Sequence, residues 1–137
     1  MLNEDGDQTS GESSADVQAR KFQKELSAGL TSLVLLSVLA DATEDLYGYE
    51  IARRLIAHAE ANVPFKQGAL YPVLRNMSAA GLLSSRVVPS YAGPPRRYYR
   101  ITQPGREVLA AWTATWNTTR EFVDGIVRRT EPQEISS

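Results

Sequence analysis

Ten residues, Gly93-Pro94-Pro95-Arg96-Arg97-Tyr98-Tyr99-Arg100-Ile101-Thr102, hold most of the chemistry this sequence offers. Arg96, Arg97 and Arg100 stand beside two phenol rings. A guanidinium forks onto phosphate oxygens and stays charged, so the chemistry here is polyanion binding and not bond-making. The Gly-Pro-Pro predicts a tight, exposed tip, because proline presets φ and glycine accepts angles closed to other residues. The alternation behind it predicts a strand, with Arg97, Tyr99 and Ile101 on one face and Tyr98, Arg100 and Thr102 on the other. A rigid tip loaded with cations suits phosphate and suits a hydrophobic core poorly.

Catalysis finds little material. There is one histidine, no cysteine, no glycine-rich phosphate loop and no Gly-x-Ser-x-Gly. His58 and Glu60 form a His-x-Glu, but no Cys-x-x-Cys or second histidine accompanies them, which predicts a surface or helix-end histidine. Paired carboxylates occur only in acidic stretches that read as flexible. The expectation is no enzyme, no metal and no cofactor. The absence of cysteine excludes a disulfide framework and fits the cytoplasm. The N-terminus is acidic and polar, and no apolar run approaches membrane-spanning length.

The net charge of −1 conceals segregation. Residues 1–50 hold 10 acidic and 3 basic side chains; residues 51–106 hold 9 basic ones against Glu60 alone. Residues 107–137 return to a mild acidic excess. A polyanion meets the local field and not the average, so the middle of the chain is where nucleic acid would bind. A solvated basic face is the bland alternative.

The elements that must position these residues follow from apolar periodicity. Residues 1–15 read as a disordered acidic leader and 130–137 as a flexible tail. An amphipathic helix is predicted over 16–26 with Val17, Phe22 and Leu26 as its stripe. Residues 30–40 are apolar almost all round, a buried helix or alternatively a short strand. After a loop at 41–45, a helix is predicted over 48–59 with Ile51, Ala52 and Leu55 inward. Asn62-Val63-Pro64-Phe65 breaks the chain before a helix over 67–80 that Gly81 would cap. Strands at 82–88 and 97–102 flank a turn, and a long helix from Gln103 to about 129 follows, with Pro104 in its first turn. The fold class is mainly α with a small β-hairpin. Residues 16–102 are expected to form one domain that includes the basic stretch and the N-terminal helix, and 103–129 a separate C-terminal helix.

Helices 48–59 and 67–80, followed by a basic hairpin, have the layout of a winged helix-turn-helix. The second helix would enter the major groove with Lys66, Gln67, Ala69 and Tyr71 leading and Arg75 one turn on. Glutamine can read adenine edges, lysine suits guanine or phosphate, and a tyrosine hydroxyl suits phosphate. Tyr71 could equally be a core aromatic, and Arg75 a surface ion pair. Pro72 is expected to be harmless in the first turn or two.

The segments Tyr47-Gly48-Tyr49-Glu50-Ile51, Gly68-Ala69-Leu70-Tyr71-Pro72-Val73-Leu74, Ala80-Gly81-Leu82-Leu83 and Gly93 to Thr102 with Gly105 resemble the PadR family of bacterial transcriptional regulators. The resemblance spans about residues 28–125 and keeps the family's order and spacing. It implies a winged helix that binds double-stranded DNA and a C-terminal helix that builds a homodimer. The single C-terminal helix is similar to the compact branch. It also implies repression released by small molecules, often phenolic acids or planar cationic drugs. By resemblance, Lys66, Gln67, Ala69 and Tyr71 lie at the groove, and Arg96 and Arg97 reach the backbone or minor groove. Tyr47 touches phosphate and Tyr49 packs inside.

Val108, Leu109, Trp112, Trp116, Phe122, Val123 and Ile126 recur at helical spacing. One helix cannot bury that stripe against a small domain, which predicts a two-fold seam joined by Phe22 and Leu26. Trp112 and Trp116 share one face. They are either dimer core or an inter-subunit pocket where an indole stacks on an aromatic effector; among PadR relatives that bind drugs, Trp116 is the matching position. The competing function class is a winged-helix protein-interaction module without sequence-specific DNA binding, which would be expected to lose its wing cations.

Overall fold

The computed structural model describes residues 12–58 and 67–132. In chain order these form α1 (Ser14–Asp41), β1 (Leu46–Tyr47), α2 (Gly48–His58), α3 (Gln67–Ala79), β2 (Leu83–Val88), β3 (Arg96–Ile101) and α4 (Gln103–Thr130). The acidic leader up to residue 11, the break at 59–66 with Glu60 and Lys66, and the tail from 133 lie outside the described residues.

The two helices expected over 16–26 and 30–40 are one helix of 28 residues. Ser13 caps it reciprocally: Ser13 Oγ accepts from the Asp16 amide at 3.1 Å, and the Asp16 carboxylate accepts from the Ser13 amide at 3.3 Å. The helix therefore opens inside the segment read as leader. At the expected break, Ser27-Ala28-Gly29 contains neither a proline nor a cap. One interior glycine costs about 1 kcal/mol, too little to end a helix with good formers on both sides.

A strand absent from the sequence reading, β1, turns the hairpin into a three-stranded antiparallel sheet in the order β1-β3-β2. Two residues carry no legible periodicity; β1 exists because β3 presents a free edge to it. Leu46 pairs with Tyr99 and Tyr47 with Tyr98, while β2 pairs from Leu83↔Ile101 to Val88↔Arg96. The inner face of the sheet and one side of each helix close a single core. It contains Leu35, Leu36 and Leu39 of α1, Ile51, Ala52 and Leu55 of α2, Leu70, Leu74 and Met77 of α3, and Tyr99 and Ile101 of β3.

Two close approaches fix how the helices sit. Gly48 opens α2 against the Tyr71 ring of α3, where a Cβ would overlap the aromatic carbons. Gly105, in the first turn of α4, is buried on the Leu82 carbonyl and Ile101. Between them, α3 ends in a Schellman turn: Leu82 N–H reaches Met77 at 2.9 Å and Gly81 N–H reaches Ser78 at 3.0 Å, with Gly81 at φ 83°. Thr102 ties that turn to α4. Its amide donates to Leu82 O at 3.0 Å, its hydroxyl to Gly81 O at 2.7 Å and Leu82 O at 3.0 Å, and the same oxygen accepts from the Gly105 amide at 3.0 Å. Thr102 is the N-cap of α4, with Pro104 just inside it.

One expectation about a special residue holds and another changes. Pro72 falls in the second turn of α3, so its missing N–H forgoes the bond to the exposed Gly68 carbonyl, yet the helix continues. Gly93 at the wing tip does not need to be glycine. Among the described glycines only Gly81 has positive φ, and a Cβ at Gly93 meets open space.

Candidate nucleic-acid interface

Strand alternation divides the wing's cations between two faces. Arg97, in phase with Tyr99 and Ile101, lies on the inner side near the tip, where its Nη1 donates to Ser85 Oγ at 3.0 Å. Arg96, one residue earlier, lies on the outer side, with its guanidinium carbon 4.4 Å from the centroid of the Tyr47 ring. Both arginines are exposed. Their fixed contacts reduce the rotamer freedom that a phosphate contact would otherwise cost.

Between wing and helices lies a cleft of about 340 Å³ lined by Tyr47, Gly48 and Tyr49, by Tyr71 and Arg75 of α3, and by Pro95, Arg96, Arg97 and Tyr99. The helix-turn-helix and the wing thus share one concave, cationic and aromatic surface. Arg75 is exposed and enters no ion pair among the described residues. Tyr71 is half-buried with its ring against Gly48, so it belongs both to the core edge and to the cleft. Ala69 is exposed on the first turn of α3. Gln67 opens that helix, with only its backbone described. Burial raises the Tyr99 hydroxyl pKa above its ordinary value, opposed by the positive fields of Arg97 and Arg75.

Tyr49 does not pack inside as expected, and Tyr47 is the more covered of the two. Tyr49 is 50% exposed, while Tyr47 is half-buried under Arg96 and against Tyr98, 5.4 Å between centroids. The reason is β1. Pairing with Tyr98 turns Tyr47 over the sheet's outer face, and Tyr49 sits about 200° around α2 from the buried Ile51. Glu50 accepts the Tyr47 amide at 3.1 Å, half of a capping box that starts α2. Arg53 lies 5.9 Å from the Tyr49 ring and extends the basic surface along α2. Sequence reading counted Arg53 as charge alone; its spacing of four from Tyr49 was the available signal.

Two cations counted as free are not. Arg86 and Arg100 both pair with Asp45, at 3.0 Å and 2.6 Å. Asp45 was read only as a loop residue, and its cross-strand relation to Arg100 needs β1 to be visible.

The tryptophans stand elsewhere. Trp112 and Trp116 are half-buried and, with Glu25, Leu26, Leu30 and Leu33 among others, line an open groove of about 570 Å³ between α1 and α4. Leu109, expected at a subunit seam, packs half-buried against the core of its own chain, with Trp112 beside it. Phe22, Leu26, Phe122, Val123 and Ile126 are exposed, as is Val127. Among the described residues no group of carboxylates and histidines could hold a metal, and no helix is long and apolar enough to cross a membrane.

Residues 35–111 match the transcriptional regulator PadR-like family. A PadR family transcriptional regulator from Eggerthella lenta is similar in structure, with a TM-score of 0.69 and 30% identity, covering 85% of this chain and 97% of that one. A PadR-like transcriptional regulator from Bacillus cereus aligns with a TM-score of 0.60 at 27% identity over 75% of this chain and 96% of its own. A PadR family transcription regulator from Clostridium difficile gives 0.59 and 25% over 72% and 98%. An uncharacterised protein of Lysinibacillus sphaericus is 27% identical over 95 residues, 69% of this chain and 84% of its own.

Proposed function

Because the chain belongs to the PadR-like family of transcriptional regulators, which bind DNA through a winged helix, we propose that it works as a cytoplasmic homodimer on an inverted-repeat operator. Occupying that operator represses transcription, and a small planar aromatic molecule releases it. In this reading Lys66, Gln67, Ala69, Tyr71 and Arg75 meet the major groove and its phosphates. Arg96 and Arg97 grip the backbone or minor groove, and Tyr47 stands at the phosphate edge.

The observation that carries the DNA side is the shared cleft, where Tyr71 and Arg75 of α3 face Arg96 and Arg97 of the wing. A second copy is supported by the exposed apolar side chains on α1 and α4, which water disfavours and a two-fold contact would cover. Two such subunits would place their α3 helices about one DNA turn, ~34 Å, apart. The groove holding Trp112 and Trp116 is of small-molecule size, and a ligand there would shift the spacing of the two subunits.

Fluorescence anisotropy against the DNA upstream of the gene, in a salt series, tests the DNA reading. The Arg96→Ala/Arg97→Ala variant should lower the slope of log K against log salt by roughly 2, since each lost phosphate contact removes about 0.9. An unchanged slope in a folded variant would remove the wing from the interface. Wild-type protein that is folded and binds no DNA at low salt would favour the protein-interaction alternative.

A further inference from the structure

Asp45 has a position that the DNA-binding reading does not use. It precedes β1 at the edge of the sheet, yet it holds arginines from both other strands. Its Oδ1 accepts from Arg100 Nε on β3 at 2.6 Å and its Oδ2 from Arg86 Nε on β2 at 3.0 Å. Arg86 lies across Tyr98 to reach it, with its guanidinium carbon 5.2 Å from that ring's centroid. Tyr98 leans on Tyr47, and Tyr47 carries Arg96. One chain of contacts therefore runs Asp45–Arg86–Tyr98–Tyr47–Arg96 along the outer face of the wing.

The Asp45 side chain is only 12% exposed, whereas Arg86 and Arg100 are 60% and 67% exposed. The carboxylate is thus enclosed by its two partners and occupies the Nε donor of each. The Arg100 hydrogen bond holds the Asp45 pKa below the ordinary carboxylate value against the opposing effect of burial, helped by the Arg86 hydrogen bond and the positive fields of both arginines. An ionised Asp45 against two guanidinium groups leaves one net positive charge where the bare strands would present two.

We propose that Asp45 is a positioning residue that sets the wing's discrimination between operator and unrelated DNA, by withholding Arg86 and Arg100 from phosphate and by seating the aromatic pair on which Arg96 rests. The inference rests on the DNA-binding reading above. Phosphate contacts carry no sequence information, so withholding two mobile cations lowers affinity for every sequence alike. A seated Arg96 costs less ordering at the one register where α3 also fits. Specificity is the difference between those affinities, and Asp45 acts on both.

The test measures the salt dependence of binding to a short duplex of unrelated sequence and to the upstream DNA, for wild type, Asp45→Asn, and Asp45→Asn/Arg86→Gln/Arg100→Gln. Asp45→Asn should steepen the slope on unrelated duplex by up to about 2 and narrow the ratio of specific to unrelated binding. Between about 50 and 200 mM salt a slope difference of about 2 is roughly a fifteenfold larger loss of affinity. The triple variant should return to the wild-type slope on unrelated duplex, and Asp45→Glu should restore much of the ratio. A purely structural role would weaken both DNAs together without steepening either slope. That result in a variant of wild-type helicity overturns the proposal, as does a steepening that survives in the triple variant. If Asp45→Asn loses its helicity, Arg86→Gln/Arg100→Gln in the native Asp45 background decides instead: its slope on unrelated duplex should fall by no more than about 1, the one net charge the trio presents, and a fall of about 2 shows that Asp45 withholds nothing. Arg96→Ala/Arg97→Ala, measured alongside, reports on the DNA reading by itself, so the failure of one is distinguishable from failure of the other.

Discussion

Gly105→Ala is the substitution whose cost can be worked most fully from this structure. The added Cβ would overlap the Leu82 carbonyl and press on Ile101 Cγ1 at 2.9 Å. The first of these is backbone within a Schellman turn and the second is 6% exposed core, so neither can swing aside. Relief requires α4 to lift away from the turn, which lengthens the bonds from the Thr102 amide and hydroxyl to Leu82 O, both 3.0 Å. Overpacking of this kind costs about 1–3 kcal/mol. Weakening one or two bonds adds roughly 1 kcal/mol, and the better helix propensity of alanine returns at most about 1. The net is a loss of about 2 kcal/mol, or a fall in Tm of roughly 6–10 °C for a chain of this size. Circular dichroism melts at fixed protein concentration measure it, since association makes Tm concentration-dependent. Gly125→Ala is the matched control, in the same helix with nothing near its Cβ, and should not fall. A Gly105→Ala protein melting at or above wild type would refute the close-approach argument.

Tyr99 predicts an alkaline limb. Its folded pKa is raised by burial, so its contribution is complete below the ordinary tyrosine value of 10.0 and is lost as pH rises through the higher folded value. Tyr99→Phe should flatten that limb in urea midpoints taken from neutral to strongly alkaline pH; a limb of unchanged steepness contradicts the assignment. Charging the exposed stripe with Phe122→Asp/Ile126→Asp should convert the proposed dimer to monomer in light scattering behind size exclusion, with helicity retained. A variant that remains dimeric places the contact elsewhere. Planar cationic aromatics should quench tryptophan emission, and Trp116→Ala should weaken their binding by about two- to tenfold, the scale of one lost stacking partner; no quenching across a broad panel removes the effector reading.

How much of this was legible beforehand differs by element and for physical reasons. The buried stripes of α2 and β3 were readable because burial repeats at a fixed period: Ile51, Ala52 and Leu55 on one, Tyr99 and Ile101 on the other. The cap at Gly81 was readable because its positive φ favours glycine, whereas Thr102, expected in the strand, is seen as the N-cap of α4 only in the structure. The exposure of Arg96 and Arg97 behind a proline-rich turn was readable because a guanidinium is costly to bury.

What the sequence determined by itself, then, is what depends on neighbours along the chain: periods, caps, turn chemistry and local charge. Tertiary structure decided what depends on neighbours across space. It joined α1 into one helix, since a lone glycine is a weak local penalty that distant packing on the core outweighs. It created β1 because an edge of β3 was open, and in doing so turned Tyr47 under Arg96 and left Tyr49 outside. It also took Arg86 and Arg100 out of the free basic surface, 41 and 55 residues from the carboxylate that holds them. Electrostatic pairing acts over ångströms and not over positions, so no reading along the chain could have assigned that partner.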